Sequence, residues 1–122
     1  MMNLYEAIGC RHSVRKYTDR EVTEKLRGQI LSYFDKTSRL NDRIRVEAVI
    51  FDNTKKKADV HGLWKVDAPY YLAIYSDQEE GCERNAGYLM EQMVLYMTAK
   101  GLGTCYLGSV QRRRRCAAAN AA

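Results

Sequence analysis

Apolar positions along the chain recur in two rhythms, and each rhythm predicts its own kind of element. Leu4, Ala7 and Ile8 share a helical face behind Asn3, a good N-cap, so residues 3–9 are predicted as a short helix ended by Gly9. Val22, Leu26, Ile30 and Tyr33 or Phe34 repeat at helical spacing through residues 19–34, with Thr23 placed to cap the regular part. The pattern then changes to alternation. Over residues 45–52, Val46, Ala48 and Ile50 point one way and Arg45, Glu47, Val49 and Phe51 the other, as in a strand. Residues 70–75 are a nearly continuous apolar run, as expected of a central strand buried on both faces and spanning 69–76. The single proline, Pro69, stands at its start, where a missing N–H does least harm.

The strongest helical signal falls within residues 77–100. Ala86, Leu89, Met90, Met93, Val94, Met97 and Thr98 form a broad stripe that ends at Lys100 and Gly101. Residues 102–108 read as a short third strand. Loops are expected at 38–42 and at 53–59, the second carrying Lys55, Lys56 and Lys57. The order helix, helix, strand, strand, helix, strand implies an α+β fold, helices packed on a small mixed sheet. Residues 1–110 then form one domain, and 111–122, four arginines followed by mostly alanine, a disordered or weakly helical tail.

At 122 residues the chain suits one domain, and 46% hydrophobic with 29% charged residues excludes a disordered one. No apolar run reaches the roughly 20 residues of a membrane span, and the N-terminus has no signal-like apolar stretch, so a cytoplasmic location is expected. The net charge of +5 suggests nucleic acid until it is located. Arg112, Arg113, Arg114 and Arg115 carry most of it, and without them 16 basic residues face 15 acidic ones. Four cationic residues on a chain end give weak, salt-sensitive nucleic-acid binding at most. Cys10, Cys82, Cys105 and Cys116 form no C-x-x-C pair and match no zinc spacing with His12 or His61, so reduced thiols and no metal site are expected.

Two stretches carry candidate chemistry. Arg11, His12, Ser13, Arg15 and Lys16 crowd cations and a hydroxyl into six residues, a set suited to an anionic cofactor because guanidinium forks fit phosphate oxygens. Composition alone favours a solvated basic loop. Residues 100–108 are glycine-bearing, with Gly101, Gly103 and Gly108, and let backbone approach something flat, although they lack the P-loop and G-x-G-x-x-G spacings. The bland alternative is a tight helix-to-strand turn. Tyr70, Tyr71 and Tyr75, and the Met90, Met93 and Met97 stripe, are better read as core than as ligand contacts.

Taken together and in order, these segments resemble the nitroreductase family of flavin enzymes. Ala7-Ile8 followed by Arg11-His12-Ser13-Val14-Arg15 is similar to the family's opening signature. Residues 68–75 look like its central strand, 85–95 like its long core helix, and 101–108 like the strand that follows. The resemblance covers residues 3–109. It implies FMN bound at a homodimer interface, and hydride passed from NAD(P)H through the flavin to nitroaromatics, quinones or similar small-molecule acceptors. Carried over residue by residue, Arg11, His12, Ser13 and Arg15 would hold the FMN phosphate, ribityl chain and ring edge, with Leu107 and Gly108 against the ring. A positive charge from Arg15 at the N1–C2 edge would stabilise the anionic reduced flavin. No catalytic side chain is singled out.

Two departures stand against the family pattern. The loop that often gives the flavin an amide is only loosely represented, at residues 38–41. Residues 111–122 replace the helix, sheet strand and phosphate-binding basic residues that the family adds, an ending that reads as truncated or frame-shifted and leaves an edge and apolar surface to cover. The alternatives are therefore a non-catalytic remnant without stable flavin, and a weak nucleic-acid binder acting through the arginine tail.

Overall fold

The computed structural model describes residues 2–18, 20–55, 60–62, 67–107 and 110–112. Its elements follow from local chemistry. Helix α1 (Leu4–Cys10) starts where the Asn3 side chain accepts from the Glu6 N–H at 2.8 Å and donates back to the Glu6 carboxylate, satisfying an otherwise orphaned helix donor. It runs one residue past Gly9. Only Ala7 of its predicted apolar face is buried, while Leu4 and Ile8 are exposed. Helix α2 (Glu24–Phe34) is capped by Thr23, whose hydroxyl accepts from the Leu26 N–H at 3.1 Å. Helix α3 (Cys82–Ala99) lies between two left-handed glycines, Gly81 at φ +81° and Gly101 at φ +87°, a conformation costly for residues with a Cβ.

Strand β1 (Val46–Asp52) pairs antiparallel with β3 (Tyr70–Ser76), in register from Val46 opposite Ser76 to Asp52 opposite Tyr70. Partners across such a ladder share a face. One face carries Val46, Ala48, Ile50, Leu72 and Ile74, and it packs with Ile30 and Phe34 of α2 and with Ala86, Leu89, Met90, Met93, Val94 and Met97 of α3. The opposite face carries Phe51 and Tyr71, which pack with Tyr17, Ala68, Cys105 and Leu107. The sheet is therefore sandwiched between two apolar clusters, and the continuous apolar run of β3 is explained by burial on both sides. The fold class is α+β.

Three sequence expectations need correction. Strand β3, expected to be central, has β1 as its sole strand neighbour among the described residues. Residues 102–107 do not form a ladder strand. They meet the 11–17 segment at one parallel bridge, Ser13 to Thr104, because a ladder needs a partner of matching length and that segment runs alongside for a single residue pair. Gly108 lies outside the described residues. The tail is not free from its first residue: β4 (Val110–Arg112) pairs antiparallel with β2 (Val60–Gly62), Gln111 opposite His61 and Arg112 opposite Val60. Residues 113–122, and most of the expected lysine loop (56–59), lie outside the described residues.

Candidate functional site

The fold brings together the two stretches that carried candidate chemistry. The Val14 N–H donates to the Thr104 carbonyl at 2.8 Å, closing the Ser13–Thr104 bridge. Gly103 makes that approach possible: a Cβ there would lie 3.0 Å from the Val14 side chain. Arg11 follows the chain into the joint. Its Nε donates to the Thr104 hydroxyl at 3.3 Å, and its guanidinium carbon sits 5.5 Å from the centre of the Tyr106 ring. Tyr106 is in turn fixed to α3, its hydroxyl donating to the Glu91 carboxylate at 2.6 Å.

Within this arrangement Arg11 Nη2 is buried and has no hydrogen-bond partner among the described residues. A buried cationic donor left unpaired is costly, so the site is chemically suited to an anion that draws the guanidinium toward it. His12 is exposed, and its Nδ1 lies 3.1 Å from the Cys10 carbonyl, a contact in which the ring nitrogen donates. Ser13 is half-buried beside Thr104, Arg15 is exposed, and Leu107 is buried against Ala68, Tyr71 and Cys105.

The phenols around Arg11 stay neutral. Burial pushes the Tyr17 hydroxyl up to about 12, with Cys105 adding to the effect and Arg11 and Arg15 opposing it. Burial and the bond to Glu91 push Tyr106 further in the same direction. Thr104, Tyr106 and Glu91 were not singled out from the sequence. Thr104 and Tyr106 lie inside the glycine-bearing stretch, and their signal was an aromatic and a hydroxyl in a segment otherwise read for its glycines.

The 38–41 loop is more firmly built than its sequence suggests. The buried Asn85 amide oxygen accepts from the N–H groups of Leu40 and Asn41, at 3.0 and 3.3 Å. Gln92 brackets Ser38, accepting from its N–H at 3.0 Å and donating to its carbonyl at 2.8 Å.

A cavity of about 380 Å³ opens next to this joint, at the seam of the two apolar clusters. Leu26, Ile30, Ile50 and Leu72 line it from one cluster and Tyr17, Ala68 and Tyr71 from the other. Arg11, His12, Ser13, Arg15 and Leu107 do not line it. Sequence reasoning missed this cavity altogether.

Comparison with known proteins agrees with this architecture. A family model described as Putative TM nitroreductase matches residues 3–121. No curated protein matches the chain. A solved structure, that of a putative nitroreductase from Thermotoga maritima, superposes with a TM-score of 0.68 at 22% identity, covering 98% of this chain and 46% of that one. The chain thus spans about half the length of that solved protein, and at this identity the likeness establishes the fold. No helix among the described residues is long and apolar enough to cross a membrane.

Proposed function

The chain belongs to the nitroreductase family described by that model, which supports a general oxidoreductase role, and from this premise we propose that it binds FMN and uses NAD(P)H to reduce small-molecule acceptors such as nitroaromatics or quinones. The observation that carries the reading is the Arg11–Thr104 joint. It assembles cations and hydroxyls from opposite ends of the chain around a guanidinium with a donor to spare. Arg11, His12 and Ser13 bind the FMN phosphate and ribityl chain. Arg15 offers charge to the ring edge, and the backbone at Leu107 faces the ring. Bound FMN supplies two-electron redox chemistry that none of these side chains has. The protein's own part is to bind, orient and bias charge. Thr104 and Tyr106 hold the Arg11 guanidinium, while the neutral Tyr17 phenol lies near enough to feel the charge of both Arg11 and Arg15.

The working form is proposed as a cytoplasmic homodimer. Leu4, Tyr5 and Ile8 are all exposed on α1, Tyr5 at 83%, and they lie on one side of the helix, an apolar face suited to a second copy. One domain is proposed for residues 1–110, which the Gln111 and Arg112 pairing with β2 extends to residue 112.

Absorbance and mass measurement of the purified protein test the assignment directly, followed by titration with FMN. Saturable binding supports it. A folded protein that takes up no FMN at submillimolar concentration makes the chain a non-catalytic relative of the fold. Nucleic-acid binding through Arg112–Arg115 is tested by the salt dependence of DNA affinity before and after their removal.

A further inference from the structure

We propose that the cavity at the seam of the two apolar clusters is a binding site for a small planar aromatic carboxylate, with Arg27 as its anion contact. The site is separate from the proposed flavin residues and does not rest on them. At about 380 Å³ it falls at the small end of the roughly 300–1,000 Å³ range of ligand pockets, enough for a one- or two-ring compound. Its walls are aliphatic at Leu26, Ile30, Ile50 and Leu72 and aromatic at Tyr17 and Tyr70, a lining that favours a flat apolar body.

The polar contribution comes chiefly from Arg27. The exposed Arg20 and Glu21 on the rim oppose each other in charge, and the Lys100 ammonium lies over the Tyr96 ring at 5.5 Å. Arg27 is held over Tyr70, its guanidinium carbon 5.3 Å from the ring centre. Its acidic neighbour is a loose partner. Arg27 Nη1 is 4.0 Å from Asp52 Oδ2, while the other Asp52 oxygen is taken by the Thr54 hydroxyl at 2.6 Å and N–H at 2.8 Å. Arg27 Nε is buried with no hydrogen-bond partner among the described residues. One under-satisfied planar cation above an apolar, aromatic-walled cavity complements a single carboxylate on a ring. With Asp52 nearby, the local charge suits a monoanion better than a phosphate.

The test is calorimetric titration of the whole chain with 2-naphthoate and with its neutral counterpart, 2-naphthalenemethanol. The acid should saturate one site and bind at least about tenfold more tightly than the alcohol, the discrimination expected of a charge-assisted contact. Arg27→Gln should remove that preference, and Lys36→Gln, just past the C-terminal end of α2 and not among the lining residues, should leave it intact. Should Arg27→Gln fail to fold, the acid-against-alcohol comparison on the unaltered chain decides. Equal affinity for acid and alcohol, an unchanged preference in Arg27→Gln, no saturable binding at millimolar acid with the helical circular dichroism intact, or displacement of the acid by FMN would each overturn the proposal. Failure of FMN to bind, with naphthoate still bound, removes the flavin assignment and leaves this site standing.

Discussion

The Tyr106 hydroxyl meets the Glu91 carboxylate at 2.6 Å, and through that bond helix α3 sets the position of the ring beneath Arg11. Tyr106→Phe keeps the ring and removes the tether. It should cost about 1 kcal/mol in urea unfolding, because the pair is exposed, and weaken FMN several-fold by loosening the Arg11 seat. An unchanged FMN affinity would separate Tyr106 from the site.

Arg11→Ala should weaken FMN binding by about 1.5–3 kcal/mol, the worth of a hydrogen bond to a charged group. Lys25→Ala, an exposed cation on α2, should change it little. Arg15→Ala should lower the reduction potential of bound FMN, since a removed positive charge no longer favours the reduced anion. Fluorescence titration and spectroelectrochemistry measure the two effects.

Asn85→Leu should destabilise the fold by about 2–3 kcal/mol, because it strips the acceptor from two backbone N–H groups at the 38–41 loop. The loss should be read in the denaturation midpoint. Hydrogen exchange should rise at Leu40 and Asn41 before it rises in β3.

Alkaline stability carries the signature of Tyr17. Its hydroxyl ionises near 10 in the unfolded chain and at about 12 in the folded one, so the folded state keeps its proton longer. The resulting stabilisation is complete below pH 10 and is lost as pH rises toward 12. Tyr106, shifted in the same direction, adds to the loss. Tyr17→Phe should flatten the decline of the unfolding free energy across that window, measured by urea titrations at successive pH values.

Ile8→Asp places a charge on the exposed apolar face of α1 without touching the buried Ala7 side. If that face joins two copies, light scattering should show a dimer for the parent chain and a monomer for the variant, with the helical dichroism unchanged.

Much of this architecture could be read from residue order. Thr23 announces α2, the alternation of Val46, Ala48 and Ile50 gives β1 and its inward face, and the unbroken apolar run of β3 follows from burial on both sides. These elements carry their own instructions because their signals repeat within a few residues. Other features had no local signal. Leu4 and Ile8 have the same spacing as a core stripe, and periodicity does not say which stripe finds a partner. Val60–Gly62 is too short to alternate, and the strand expected from residue 102 has only Ser13 to pair with. At the site, the resemblance marked Arg11 and Ser13, but the roles of Thr104 and Tyr106 depend on a contact 93 residues apart in the chain. The Arg27 cavity is assembled from several such separated pieces.

The same separation dictates an order of events during synthesis. Arg11 leaves the ribosome early, but the hydroxyl and ring that hold its guanidinium are made some ninety residues later. Closing so long a loop is entropically unfavourable until other contacts have shortened it, and here the β1–β3 ladder and α3 lie between the two ends. The Arg11 joint therefore closes only after the β1–β3 ladder and α3 have been made. A nascent chain ending before Gly103 can hold its sheet and most of its core while having no seat for Arg11.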